Sequence, residues 1–266
     1  MTYFGFLLRF LMIPIVILSG IAWWDKRRGK LSAETLRSWP MISAIALHVV
    51  IAVVYTTPWD NYLVATRVWW YDTALVTNIT IGWVPIEEYT FFVLQPIMGG
   101  LWLWFLMRTL AVSAAEPLKQ SLRLASLIGL GTLWVVMLVI LLSGWGPGTY
   151  LALELVWALP PIMLQLGFGA DILWRYRTLV ALAIVPTTLY LAFADALAIN
   201  WGTWTIDPEQ SLNIFLGGVL PIEEFVFFLL TNVLVVFGVT LISAEASHKR
   251  LAQIPFLRER LASTPS

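Results

Sequence analysis

Seven apolar stretches govern what this chain can become. They run over residues 3–24, 39–57, 82–107, 124–142, 151–174, 178–200 and 214–244. Each is long enough to cross about 30 Å of hydrocarbon as a helix. Inside a bilayer only helices and closed barrels satisfy every backbone group, and unbroken rather than alternating apolarity selects helices. Charge is correspondingly scarce: 12% of residues, against about 25% in a soluble domain. The expected fold is therefore all-α, a polytopic membrane protein with seven transmembrane helices. The first stretch has no basic segment before it and no small-residue cleavage site after it, so it reads as a retained helix.

Basic residues set the expected orientation. Lys26, Arg27, Arg28, Lys30 and Arg37 follow the first span; Arg108, Lys119 and Arg123 follow the third. Arg175 and Arg177 follow the fifth, and Lys249, Arg250, Arg258 and Arg260 lie in the tail. The alternate loops hold only Arg67, and Arg9 falls within the first span. The positive-inside rule then puts the N-terminus outside and the C-terminus in the cytoplasm, as an odd number of spans requires.

The chain also repeats itself. Pro85-Ile86-Glu87-Glu88 returns as Pro221-Ile222-Glu223-Glu224, and Phe91-Phe92 returns as Phe227-Phe228 at the same offset. Upstream, Asp60, Trp69 and Asp72 are matched by Asp195, Trp204 and Asp207. Pro14 and Asp25 have fainter counterparts in Pro160 and Asp171. The expected organisation is a first repeat over 1–110, a linker helix over 111–148, a second repeat over 149–245 and a basic tail over 246–266. An odd number of spans separates equivalent points, so the two three-helix repeats are parallel, related about an axis along the membrane normal.

The glutamates are the candidate catalytic residues: Glu87, Glu88, Glu223 and Glu224. Acids behind a proline at a helix start compensate the helix dipole in ordinary proteins. Here they recur in a matched context and open strongly apolar helices, where acids are costly and mark function. A carboxyl in low dielectric tends to keep its proton and can serve as a general acid. Neighbours in a pair point about 100° apart on a helix, so the closer approach is expected between one glutamate of each repeat.

Aromatic residues accompany the acids. Trp69, Trp70, Tyr71, Tyr89, Phe91 and Phe92 surround the first pair; Trp204, Phe225, Phe227 and Phe228 surround the second. Singly, tryptophans of this kind belong to an interfacial belt and phenylalanines to the core. Together they suit a dry pocket whose π faces stabilise a cation. Asp60, Asp72, Asp195 and Asp207 are expected in the loops before spans three and seven, bracing the repeat, with Pro85 and Pro221 supporting the glutamate helices. Glu154 reads as a cap or interface residue, and His48 as a hydrogen-bonded structural one.

Several classes are excluded. The chain has no cysteine and two histidines, so thiolate chemistry and a histidine-rich metal site are absent. Zero net charge argues against a nucleic-acid partner. Every lysine lies outside the spans, which removes a retinal-type Schiff base, and no Gly-rich nucleotide fingerprint occurs.

The duplicated Pro-Ile-Glu-Glu with its two phenylalanines, preceded by the aspartate–tryptophan–aspartate stretch, resembles the membrane-integral lycopene cyclase domain. That family occurs as two small subunits, as a fused chain, and as the cyclase half of fungal enzymes that also carry a phytoene synthase. This chain resembles the fused form over about residues 1–245. It departs in one place, with Ile206 where the first half has Tyr71. The resemblance implies acid-initiated, redox-neutral cyclisation of lycopene end groups to β-ionone rings, without a cofactor. It implies a carotenoid substrate, membrane lipid around the protein, contact with other enzymes of carotenoid synthesis and a bacterial cell membrane as the setting. A carotenoid hydratase quenching the same cation with water, or a proton-coupled transporter, are the alternatives that paired intramembrane acids allow.

Overall fold

The computed structural model describes residues 1–111 and 120–253. Seven helices are long and apolar enough to cross a membrane. They are α1 (Tyr3–Arg27), α2 (Met41–Ala65), α3 (Ile86–Thr109), α4 (Ser121–Ser143), α5 (Thr149–Arg175), α6 (Arg177–Asn200) and α7 (Ile222–Ser243). A short α8 (Glu245–Leu251) follows. Lys119, Arg258 and Arg260, with 112–119 of the expected linker and most of the expected tail, lie outside the described residues.

The two glutamate-bearing helices form the centre. α3 packs against α1, α2, α6 and α7, while α7 packs against α5, α6, α2 and α3. Small residues permit the close contacts: Gly100 of α3 leaves room for Ile45 of α2, and Gly238 of α7 for the ring of His48. His48 bonds the carbonyl of Ala44 at 2.8 Å, a structural role as the sequence suggested. Midway along the bundle Gln95 of α3 donates to Asn232 of α7 (3.0 Å), which donates to Thr188 of α6 (3.2 Å). Such polar links contribute around 0.6 kcal/mol each between membrane helices. By contrast α4 packs along α5 and buries none of its residues.

Three small strand pairs close one end of the bundle. β1 (Trp69–Tyr71) pairs antiparallel with β4 (Trp204–Ile206), so Trp69 faces Ile206 and Tyr71 faces Trp204. Asp72 N–H donates to Thr203 O and Asp207 N–H to Val68 O, extending the ladder equally at both ends. β2 (Thr80–Ile81) and β3 (Val84–Pro85) make a hairpin before α3; β5 (Phe215–Leu216) and β6 (Leu220–Pro221) make one before α7. The first turns through Gly82 at φ 68°, a left-handed conformation that suits glycine, and a side chain there would strike Asn61.

At the opposite end the helices are tied by buried charge. Arg108 of α3 bonds Asp25 of α1 at 3.1 Å, and Arg250 of α8 grips Asp171 of α5 with two bonds of 2.9 and 2.6 Å. The faint sequence match of Asp25 with Asp171 thus coincides with two acid–arginine pairs.

Three expectations need correction. The second span runs on to Ala65 through Pro58, which sequence reading took as its end. Proline removes one helical hydrogen bond, the one that Val54 O would accept, and membrane helices tolerate such a break. Here Thr57 bonds Val53 O and Asn61 bonds Thr57 O. Consequently Asp60 lies inside α2, and Asp195 inside α6, both buried rather than in loops. The third and seventh spans start at Ile86 and Ile222, because the residues before them form the hairpins.

Candidate active site

The hairpins decide where each glutamate points. Pro85 and Pro221 end β3 and β6 and cap the two helices, so the paired acids fall in the first helical turn. Glu87 turns outward to the loop before it, accepting from Thr77 N–H (2.6 Å) and Thr77 Oγ1 (3.2 Å). Glu223 does the same for Leu212 N–H (2.7 Å) and Ser211 Oγ (3.2 Å). Each loop also holds an asparagine at positive φ, Asn78 and Asn213, whose side-chain amide bonds Thr73 O and Pro208 O respectively. Asp72 and Asp207 accept backbone N–H groups of Ala74 and Glu209 within these loops, away from any cavity.

The other two glutamates face inward. Glu88 and Glu224 line one cavity of about 50 Å³ beneath the β1–β4 ladder. It is walled by Trp59, Trp69, Trp204, Phe91, Phe92, Phe227 and Phe228, with Asp60 and Asp195 also contributing. Glu88 comes from α3 and Glu224 from α7, so the cavity is lined by one acid of each Pro-Ile-Glu-Glu pair. Of the ten aromatics expected at the site, Trp70, Tyr89 and Phe225 do not line it. Trp70 alternates to the other face of β1, where Arg67 stacks on its ring at 5.3 Å. Tyr89 donates to Ile81 O and receives a bond from Asn61, bracing the first hairpin.

Hydroxyl groups hold the inward acids. Tyr3 Oη donates to Glu88 Oε2 at 2.6 Å, and Tyr71 Oη donates to the same oxygen at 3.0 Å. Trp69 Nε1 donates to Tyr71 Oη at 3.1 Å, completing a relay of donors. Burial, then the carboxylates of Glu88 and Asp60, push the Tyr71 hydroxyl well above its ordinary value of 10.0, so it remains a donor. On the other side Tyr150 Oη donates to Glu224 Oε1 at 2.7 Å. Trp204 Nε1 there reaches Asp195 at 3.0 Å, because Ile206 offers no hydroxyl. Asp60 and Asp195 each leave Oδ2 without a hydrogen-bond partner among the described residues.

Tyr3, Tyr150, Phe6 and Trp59 were missed by sequence reasoning. The signal for the tyrosines was available: Tyr3 precedes Pro14 by eleven residues and Tyr150 precedes Pro160 by ten. The extra residue is taken up in a single π-helical turn, Leu8–Met12, within α1. The two tyrosines also make similar backbone bonds, Tyr3 N–H to Leu75 O and Tyr150 N–H to Gln210 O, both at 2.9 Å. Trp59 packs against both Trp157 (4.5 Å, 18°) and Phe227 (5.9 Å, 6°), which lie 6.4 Å from each other, so the three rings form one aromatic cluster.

The site therefore combines four carboxyls, hydroxyl donors and stacked π faces in a confined cavity. That combination suits proton-initiated chemistry through a carbocation. Among the described residues no cluster of His, Cys, Asp and Glu could hold a metal ion.

Comparison with known proteins agrees with this chemistry. A family model described as Lycopene cyclase matches residues 1–106 and 147–242, and the chain belongs to that family. The chain is 34% identical over 245 residues to a lycopene beta-cyclase of Halobacterium salinarum, covering 90% of this chain and 95% of the relative. It is 38% identical over 206 residues to a bifunctional lycopene cyclase/phytoene synthase of Leptosphaeria maculans, covering 73% of this chain and 35% of that longer protein. No solved structure matches it.

Proposed function

We propose that the chain cyclises the linear end groups of lycopene to β-ionone rings, and that Glu88 and Glu224 are the acid and base. The observation that carries this reading is the convergence of these two carboxyls, one from each half, on a single aromatic cavity. The acid protonates the terminal double bond of the end group. The resulting tertiary cation is attacked by an internal double bond, which forms the ring carbon–carbon bond and moves the charge to a second tertiary centre. The base removes a proton from the adjacent carbon, restoring a double bond. Atoms and electrons balance with no oxidant or reductant. The tryptophan and phenylalanine faces stabilise the cation and keep out water, which would divert it to an alcohol. Glu87 and Glu223 act one step removed, by fixing the loops that carry Tyr71 and Ile206.

Two parallel three-helix units joined by α4 are part of this proposal. Its support is the equal extension of the β1–β4 ladder, the matched loop bonds of Glu87 with Glu223, and the paired tyrosines. The family match, which skips 107–146, is consistent with a joining helix. The units are 1–110 and 149–245. Basic residues beyond α1, α3, α5 and α7 favour a cytoplasmic C-terminus, so the cavity lies toward the outer face of the membrane. The substrate reaches it from lipid: a groove of about 590 Å³ along Val50, Val54, Tyr55 and Trp157 ends at Trp59, which also lines the cavity. Membership of the cyclase family does not favour the hydratase or transporter readings.

The test is expression in a lycopene-accumulating bacterial host, with pigments separated by chromatography. Accumulation of β-ring carotenoid is the expected result. Unchanged lycopene with the protein present in the membrane would refute the substrate, and a hydroxylated acyclic product would point to hydration.

A further inference from the structure

Glu154 is a buried acid for which the cyclisation scheme has no use. It is 0% exposed in α5, and neither carboxyl oxygen has a hydrogen-bond partner among the described residues. It follows Tyr150 by four residues, so the two project from one face of the helix. Tyr150 in turn donates to Glu224. In the other half Tyr3 donates to Glu88, but four residues after Tyr3 stands Leu7, itself 1% exposed. The same buried position is thus a leucine behind one tyrosine and a carboxyl behind the other. Packing alone is met by leucine, and an unpartnered buried carboxyl costs stability. The fold does not demand Glu154.

We propose that Glu154 is the proton reservoir for Glu224, acting through the Tyr150 hydroxyl, so that Glu224 is the acid that starts cyclisation and Glu88 the base that ends it. This rests on the reading of Glu88 and Glu224 given above. In the transfer, the Glu154 carboxyl turns onto the Tyr150 oxygen one helical turn away, and its O–H bond breaks as one forms there. The original phenolic O–H breaks as one forms on the Glu224 carboxylate. Glu154 is left ionised and Glu224 protonated, with no redox change. Glu88 has the surroundings of an acceptor: one of its oxygens takes two hydroxyl donors, and Leu7 leaves no acid behind Tyr3. Cyclisation consumes no net proton, so the proton collected at Glu88 returns across the cavity to Glu224 and back through the Tyr150 hydroxyl to Glu154, which restores both ends.

The titratable groups facing Glu154 are Tyr150 on its own helix and Glu223 and Glu224 on α7. Asp195 on α6 acts on Tyr150 and Glu224. The single charged residue of α4, Arg123, is engaged with Gly167 O.

The experiment measures lycopene turnover across pH in membranes holding equal amounts of wild type, Glu154→Gln, Glu154→Leu, Tyr150→Phe and Glu224→Gln. Both Glu154 variants are expected to lower kcat at least tenfold at unchanged KM and to remove one ionisation from the kcat–pH profile. Glu154→Leu combined with Tyr150→Phe is expected to be no slower than Tyr150→Phe alone. Wild-type kcat and pH profile in Glu154→Leu, the residue the other half uses, would overturn the proposal. So would variants that reduce only the amount of folded protein in the membrane. An inactive Glu224→Gln beside a fully active Glu154→Leu would refute this inference alone, whereas an active Glu224→Gln would refute Glu224 as the acid.

Discussion

The two sides of the cavity share a scaffold and differ in what they give their glutamate. Glu88 receives two hydroxyl donors, one of them reinforced by Trp69. Glu224 receives one, while Trp204 is spent on Asp195. A single change of type, Tyr71 against Ile206 at the third position of the two paired strands, accounts for most of the difference. On the acid–base reading proposed above, the two carboxyls need unequal surroundings. The structure supplies that inequality in the number of hydroxyl donors, two at Glu88 and one at Glu224.

The largest break in that comparison should come from the inward acids. Glu88→Gln and Glu224→Gln keep the shape and remove the ionisable proton, so each is expected to reduce carotenoid cyclisation by about 100-fold or more. Pigment chromatography at matched protein levels checks this, and a variant retaining normal conversion would remove its residue from the catalytic pair. Next come the outward acids. Glu87→Gln and Glu223→Gln weaken the hold on a loop amide and hydroxyl; leaving such a group unsatisfied costs roughly 1–3 kcal/mol. Thermal unfolding in detergent should show the loss, with activity falling only as far as folded protein does. A full loss of activity in a stable Glu223→Gln would instead make the outward acid a participant. A smaller effect, about tenfold at most, is expected for Tyr71→Phe, which deletes one of two donors to Glu88. If Tyr71→Phe proves neutral, the inequality of the two sides must come from elsewhere, and Glu154 is then the remaining difference.

Much of this was legible in the sequence because the bilayer reduces the problem. Apolar length gave the seven spans, and the duplicated glutamates gave the centre of the site. The departure at Ile206 against Tyr71 was visible before any coordinates. What escaped has physical causes. Asp60 looked like a loop residue because an acid just after Pro58 reads as lying past the end of a span, yet α2 continues to Ala65, and Asp195 was grouped with it although it falls inside the sixth apolar stretch. The pointing of Glu87 away from Glu88 depends on the hairpin that precedes them, and the strands of that hairpin are two residues each, too short for any periodicity. Burial of Glu154 depends on α7 packing across it, a relation no local pattern expresses.

The π-helical turn at Leu8–Met12 separates the length of α1 from its phase. Removing a residue from a regular helix rotates everything beyond it by about 100° and withdraws it by about 1.5 Å. Applied elsewhere between Tyr3 and Pro14, that would swing the Tyr3 hydroxyl off Glu88. Applied within the turn, it should merely convert the bulge to ordinary helix and leave the tyrosine where it is, as the ten-residue spacing from Tyr150 to Pro160 already does in the other half. A one-residue deletion inside Leu8–Met12 is therefore expected to keep near-normal turnover, and its failure would mean that the bulge positions something more than Tyr3.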